Sequence, residues 1–143
     1  MNIIDASVYA PLIITYGEDL IEKLKRARSI ILDLTIYEVC SAFWKEHTKL
    51  HKISEEEAIT ACKVAKALSR YVTLYSVTDL DTAEVMKIAI ENNITFYDAS
   101  YIALAYKLKT PIASEDHDIL AVAPKYNIKA IRLNELINML EQT

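Results

Sequence analysis

The sequence predicts a three-layer α/β/α sandwich with a central, mainly parallel sheet. Short apolar runs alternate with segments of helical spacing along the chain, and the turns typical of β-hairpins are lacking between them. Parallel strands need crossover connections, so the connecting helices cover both faces of the sheet. The single glycine, Gly17, and three prolines leave little sequence for long loops. We therefore expect residues 1–143 to form a single domain.

The first half of the chain has three apolar runs of strand length and three segments of helical spacing. The first helical segment carries Leu20, Ile21 and Leu24 on one side. The third opens with Ser54 and Glu57, which match the capping-box pattern of a helix start. The elements predicted here are a strand at 2–4, helices at 18–27 and 35–49, a strand at 29–32, a helix starting at 54 and a strand at 72–75.

The second half continues the alternation. The segment 97–108 has helical spacing, and its small residues Ala99, Ala103 and Ala105 permit close packing. The chain then passes from a strand into Asp116, which stands before a short helical segment. The elements predicted here are helices at 79–91 and 97–108, a strand at 111–113, a short helix after Asp116, a strand at 129–132 and a helix from Asn134.

Composition excludes several classes of protein. The formal net charge is −4, whereas domains that hold nucleic acid by bulk charge have a basic face and a high pI. Any nucleic acid must therefore be held locally. No stretch approaches the ~20 apolar residues of a membrane span, and no basic leader precedes the first apolar run. We expect a soluble, cytoplasmic protein without membrane contact.

The two cysteines lie inside segments of helical spacing. Cys40 and Cys62 do not have the spacing of metal ligands, and they suit buried thiols in a reducing compartment. A disulfide between them is the alternative, which the sequence leaves open.

Four carboxylates are predicted at one edge of the sheet. Asp5 ends the first strand, and Asp116 follows the strand at 111–113. Glu38 and Asp98 lie near the starts of two helices. The carboxyl ends of parallel strands and the N-termini of the following helices meet at the same edge, where such folds bind ligands.

Each acid also has a simpler interpretation. Glu38 and Asp98 lie three residues after a threonine, as in a capping box. Asp5 suits an Asx turn, and Asp116 suits an N-cap. Capping explains the acids one at a time, but it does not predict that all four belong to one edge. Their joint placement is therefore the evidence for a site.

A convergent set of carboxylates requires a counter-charge. Two carboxylates ~5 Å apart repel by roughly 3 kcal/mol at an effective dielectric constant of 20. Protonation or a cation must relieve this repulsion. All-oxygen ligands without histidine or cysteine select hard cations, so the sequence predicts Mg²⁺ or Mn²⁺ rather than zinc.

Four short motifs occur in a recognisable order. They are Asp5-Ala6-Ser7 after the first strand, Glu38 within a helix, the apolar and aromatic lead into Asp98-Ala99, and Ser114-Glu115-Asp116 before a helix. This order resembles the PIN-domain family, and particularly its VapC-type toxin branch, along nearly the whole chain. One departure is Ser41, at a position where many relatives have asparagine.

The resemblance implies a PIN-like fold and a metal-dependent ribonuclease. Asp5 and Asp98 would bind Mg²⁺ or Mn²⁺ directly, and Glu38 and Asp116 would act directly or through water. Ser7 and Ser114 would orient these acids. The implied reaction is hydrolysis of RNA phosphodiester bonds by water, leaving a 5′-phosphate and a 3′-hydroxyl. The implied partners are RNA, a small antitoxin protein and a second copy of the chain, through the helices between 35 and 70.

Two lysines are candidates for contacts with RNA phosphates. Lys45 and Lys49 follow Glu38 by seven and eleven residues, so one helix face would carry all three. Ordinary surface lysines are an equally good interpretation. Two further functions stay open: a PIN nuclease of RNA processing or decay without an antitoxin, and a degenerate PIN fold that only binds.

Overall fold

A computed structural model describes residues 1–142 as a five-stranded parallel sheet with helices on both faces. The strand order is β3-β2-β1-β4-β5, and every pairing is parallel. This confirms the predicted α/β sandwich. The strands are β1 Asn2–Ile4, β2 Ser29–Leu32, β3 Thr73–Tyr75, β4 Ile112–Ala113 and β5 Ala130–Ile131.

Eight α-helices connect and cover these strands within the described residues. They are α1 Ala6–Tyr16, α2 Leu20–Arg26, α3 Asp33–Thr48, α4 Glu55–Leu68, α5 Thr82–Asn92, α6 Phe96–Leu108, α7 His117–Val122 and α8 Leu133–Glu141. Short 3₁₀ turns occur at Gly17–Asp19, Ser69–Tyr71, Val77–Asp79 and Ala123–Tyr126.

The sheet separates two apolar cores. Ile3 faces one core, which it shares with α5, α6 and α7. Its neighbour Ile4 faces the other core, which is formed with α1 to α4 and α8. Successive strand residues point to opposite faces, so a strand covered on both sides is apolar throughout. This explains why β1 and β2 are continuous buried runs rather than alternating ones.

Helix α1 is absent from the predicted elements, and this omission is an error. Asp5 caps its N-terminus, and Gly17, with φ of 54°, ends it. The segment is apolar nearly all round, so it has no polar stripe to reveal a helical period. Pro11 lies inside the helix, where the loss of a backbone donor normally argues against helix. Burial of Val8, Tyr9 and Leu12 in the core outweighs that cost.

Two other helix starts differ from the prediction. Helix α3 begins at Asp33 rather than Thr35. Helix α5 begins at Thr82 because Asp81 accepts hydrogen bonds from the backbone N–H groups of Ala83 and Glu84. The remaining predicted strands and helices agree with the structure to within a few residues at their ends.

A disulfide bond joins α3 to α4. Cys40 and Cys62 are half-buried, and their Cα atoms are 5.1 Å apart. The expectation of buried thiols is therefore wrong, and the alternative that the sequence left open is realised. The bond closes a loop of the chain, which restricts the unfolded state and holds the two helices together.

Membrane crossing requires a long apolar helix. Within residues 1–142, none of the helices combines the length and apolar character needed to span a bilayer.

Candidate metal centre

The sheet topology brings the predicted acids to one edge. Strands β1 and β4 are neighbours and pair in parallel. Asp5 follows β1 directly, and Asp116 follows β4. Glu38 lies in the second turn of α3, and Asp98 lies in the first turn of α6. Both helices begin beside this edge of the sheet.

Asp5 accepts hydrogen bonds from residues that follow it directly and from the loop after β4. Its side chain is only 4% exposed. One carboxylate oxygen accepts from the Ser7 hydroxyl at 2.6 Å and from the Val8 N–H at 3.3 Å. The other accepts from the Ser114 hydroxyl at 2.5 Å. The pKa of Asp5 is raised to about 6. Burial raises it most, and these hydrogen bonds offset part of that rise.

The two predicted serines also fix the loop that carries Asp116. The Ser114 Oγ accepts a hydrogen bond from the Asp116 N–H at 2.9 Å. The Ser7 Oγ accepts one from the Glu115 N–H at 2.8 Å. Each serine therefore donates to Asp5 and accepts from the loop. The part that this arrangement plays in a reaction stays a prediction.

Glu38 takes part in a chain of buried hydrogen bonds rather than in a capping box. Its Oε1 accepts from the Tyr101 hydroxyl at 2.7 Å. The Tyr101 hydroxyl lies 2.8 Å from Thr35 Oγ1, which accepts from the Leu32 N–H. Thr35 and Glu38 therefore do not form the capping box that their spacing suggested, because Thr35 accepts from Leu32 and Glu38 accepts from Tyr101. Burial raises the pKa of Glu38.

Asp98 carries the strongest sign of like-charge repulsion. Thr95 caps α6 and accepts from the Asp98 N–H at 3.1 Å. The pKa of Asp98 is raised to about 6, chiefly by burial and in addition by the charges of Asp116, Glu38 and Asp118. The capping interpretation thus holds for Thr95, while the Asp98 carboxylate belongs to a group of acids.

Asp116 both caps a helix and joins the other acids. Its Oδ1 accepts from the N–H groups of Asp118 and Ile119 at the start of α7. Its charge also raises the pKa of Asp5, Glu38 and Asp98. Asp116 is therefore the common neighbour of the other three predicted acids. Capping and convergence are compatible at this residue.

Two members of this site were missed by sequence reasoning. Among the described residues, Asp98, Asp116 and Asp118 can place carboxylate oxygens within 4.8 Å of one another. Asp118 follows Asp116 by two residues, and that Asp-x-Asp pattern was its available signal. Tyr101 carried no signal, because its partner Glu38 is 63 residues distant. Asp5, Glu38, Asp98, Asp116 and Asp118 are called the acid cluster below.

The two candidate lysines lie away from the acid cluster. On an α-helix, Lys45 is about 10 Å and Lys49 about 16 Å along the axis from Glu38. Both side chains are exposed. The Lys49 ammonium lies over the Trp44 ring, 5.6 Å from its centroid. Contact with RNA phosphates stays a prediction for both residues.

The donor set fits a hard divalent cation. All five side chains of the acid cluster offer carboxylate oxygens, which Mg²⁺ and Mn²⁺ prefer. Burial and mutual repulsion oppose the charged forms of Asp5, Glu38 and Asp98. A bound cation would relieve that repulsion. Serine and tyrosine hydroxyls already hold Asp5 and Glu38 in place.

Replacement of Tyr101 by phenylalanine tests how Glu38 is held. Tyr101→Phe removes the donor to Glu38 and leaves the buried Thr35 hydroxyl without this partner. We expect the free energy of unfolding to fall by about 1–2 kcal/mol, measured by urea denaturation. The pKa of Glu38 is expected to rise, because the Tyr101 hydrogen bond lowers it. The exposed Tyr106→Phe is the control. Equal stability of the two variants would contradict this role.

Comparisons with known proteins show which family this chain is similar to. A sequence model of the family described as "PIN domain" matches residues 3–125. Exonuclease VapC9 of Pyrobaculum aerophilum is 34% identical over 119 residues, which cover 83% of each chain. Ribonuclease VapC3 of the same organism is 28% identical over 127 residues, covering 85% of this chain and 94% of the relative.

Solved structures show the same architecture. A crystal structure of a Pyrobaculum aerophilum protein superposes with a TM-score of 0.77 at 28% identity, covering 99% of this chain and 90% of that one. A PilT N-terminus domain protein of Sulfolobus solfataricus gives 0.52 at 17% identity over 97% and 92% of the two chains, a likeness of fold alone. The match over 3–125 and the VapC relatives lead to one conclusion: this chain belongs to the PIN-domain family, in its VapC-type branch.

Proposed function

We propose that this protein is a Mg²⁺- or Mn²⁺-dependent endoribonuclease that hydrolyses RNA phosphodiester bonds, acting as one domain over residues 1–143. The observation that carries the proposal is the convergence of Asp5, Glu38 and Asp98 on Asp116, whose charge raises the pKa of each. The names of two relatives, a ribonuclease and an exonuclease, support the same chemistry.

The residues of the acid cluster have distinct proposed roles. Asp5 and Asp98 bind the cation directly, and Glu38 and Asp116 bind it directly or through water. Asp118 supplies a further carboxylate beside Asp98 and Asp116. When bound, the cation activates water for attack on phosphorus and neutralises charge on the phosphoryl oxygens.

The chain's own hydrogen bonds prepare the cluster for this task. Ser7 and Ser114 donate to both oxygens of Asp5, so its carboxylate has a fixed orientation before any ligand arrives. Tyr101 does the same for Glu38. Such preorganisation avoids rearrangement during the reaction. Hydrolysis by water needs no nucleophilic side chain.

The biological setting of the nuclease is a further part of the proposal. The VapC names of the relatives support a toxin that a small antitoxin holds inactive in the cytoplasm. We also propose a homodimer that uses α3 and α4. These helices and the segment between them expose Trp44, Leu50 and Ile59, and neighbouring exposed apolar side chains are typical of protein interfaces.

Two alternatives are separated by simple observations. A nuclease of RNA processing would lack a neighbouring reading frame for a small DNA-binding protein. A degenerate fold that only binds would retain the acids as caps. The raised pKa values of Asp5 and Asp98, both about 6, favour a cation site over caps alone.

The test uses RNA labelled at either end and incubated with the full chain in Mn²⁺, Mg²⁺ or EDTA. We expect cleavage in both metals and none in EDTA. Internal fragments with 5′-phosphate and 3′-hydroxyl ends would support an endonuclease. Release of single nucleotides from one labelled end would instead indicate an exonuclease. A mixed RNA pool left intact in both metals would contradict the proposal.

A further inference from the structure

An apolar pocket lies beside the acid cluster. Its volume is about 250 Å³, and its lining is almost wholly apolar. Tyr37 of α3 and Phe96 and Tyr97 of α6 form one part of the wall, and Leu34, Val77 and Leu80 form another. We call this cavity the tyrosine pocket.

The tyrosine pocket and the acid cluster are built from the same two helix starts. Tyr37 immediately precedes Glu38 on α3. Tyr97 immediately precedes Asp98 on α6. The acids themselves do not line the pocket, and consecutive side chains of a helix point in different directions. Consecutive Cα atoms are only about 3.8 Å apart, however, so each ring of the pocket adjoins one acid of the cluster.

The two tyrosines are unusually accessible for large rings. Tyr37 is 77% exposed and Tyr97 is 59% exposed. Nearby Val77 is exposed as well. A single exposed apolar residue needs no explanation, but a group of them around a cavity marks a binding surface. Aromatic rings of this kind are the platforms on which unstacked bases lie in complexes with single-stranded nucleic acid.

Charge indicates which ligand needs such a platform. The protein has a net charge of −4, and the acid cluster adds local repulsion for a polyanion. The bulk electrostatic attraction that usually supplies affinity for nucleic acid is missing. Stacking of a base on tyrosine does not depend on charge and contributes affinity of its own.

Size indicates how much of the ligand the pocket holds. Pockets that enclose a whole small-molecule ligand measure about 300–1,000 Å³, and this one is smaller at about 250 Å³. It therefore suits one ring system with its sugar and phosphate outside. Two bases, or a helix lying along a groove, need more room.

We propose that the tyrosine pocket is a base subsite, in which one unstacked base of the RNA lies against Tyr37 and Tyr97 while an adjoining phosphate lies at the acid cluster. This inference rests on the proposed ribonuclease function. In this proposal, stacking on the two rings supplies affinity for RNA that the charge of the protein does not supply. It also requires the seated base to be unpaired, because a base inside a duplex cannot reach the rings.

The test compares one short single-stranded RNA, cleaved at a mapped position, with versions that carry an abasic nucleotide on either side of the cut. For wild-type protein, one abasic version is expected to lower kcat/KM by roughly 5- to 100-fold, as expected for the loss of one stacked base. The variant Tyr37→Leu/Tyr97→Leu is expected to cleave the intact RNA more slowly by a similar factor. It is also expected to lose the distinction between intact and abasic RNA.

Two controls keep this test specific. Tyr37→Phe/Tyr97→Phe retains both ring faces and is expected to discriminate as wild type does. Tyr106→Leu removes an exposed tyrosine that lines a different cleft, and it is expected to leave discrimination unchanged. Thermal unfolding of each variant establishes that it is folded.

Other outcomes would overturn the base subsite. A leucine double variant that still discriminates against the abasic RNA would exclude stacking on these rings. A double variant that cleaves normally but escapes inhibition by a co-expressed antitoxin would assign the pocket to a protein side chain instead. Failure of the proposed function is distinct, since wild-type protein would then cleave none of the RNAs.

Discussion

Asp98→Asn is expected to reduce RNA cleavage by more than about 100-fold. Loss of groups that merely orient metal ligands typically costs 10–100-fold, and Asp98 is a proposed direct ligand. Its carboxylate also belongs to the group of three oxygens that lie within 4.8 Å of one another. The measurement is the initial rate of cleavage of a labelled RNA in saturating Mn²⁺.

The variant should remain folded, which keeps the result interpretable. The Asp98 backbone N–H, not its side chain, donates to the capping Thr95. Asparagine has nearly the same shape as aspartate and removes a charge that its neighbours repel. Asp81→Asn is the matched control, because Asp81 caps α5 outside the acid cluster. Retention of activity within about threefold in Asp98→Asn would refute the assignment of Asp98 as a metal ligand.

Addition of Mn²⁺ is expected to raise the melting temperature of the wild-type protein by roughly 10 °C. A ligand at ~100 times its dissociation constant stabilises the folded state by about 2.7 kcal/mol, and each kcal/mol moves the transition by a few degrees in a protein of this size. Asp98→Asn is expected to show little of this shift. The measurement is thermal unfolding with and without millimolar Mn²⁺.

The same experiment has a predicted pH dependence. Burial raises the pKa of Asp5 from 3.8 to about 6 in the folded state, so the folded protein binds this proton more tightly than the unfolded chain does. Without metal, stability should therefore fall as pH rises from about 4 to 6, by about 3 kcal/mol at most for Asp5. Mn²⁺ competes with the proton, so its shift should be large at pH 7.5 and small at pH 4.5. A shift independent of pH would point to a site elsewhere.

The order of strands and helices was predictable because burial on both faces produces strong local patterns. Runs such as Ile30-Ile31-Leu32 are apolar throughout and end at clear helical spacing. Helix α1 escaped for the opposite reason, since its nearly uniform apolar character and Pro11 hide its period. Its identification depends on knowing that the core encloses it.

Sheet topology made part of the acid cluster predictable from the sequence. Carboxylates that follow adjacent parallel strands meet at one edge, which placed Asp5 and Asp116. Asp118 and Tyr101 depend on how α7 and α6 rotate against the sheet and α3, and one sequence does not determine that rotation. The Cys40–Cys62 bond depends in the same way on the packing of α3 against α4.

The central position of β1 has a consequence for synthesis. Asp5 is translated before Ser114, to which it hydrogen-bonds, and 109 residues separate the two. Until β4 emerges, β1 lacks one of its two neighbours, and Asp116 and Asp118 do not exist beside it. A growing chain therefore cannot complete the cluster, however well its first helices have folded. The acid cluster closes only after Asp118 has been translated.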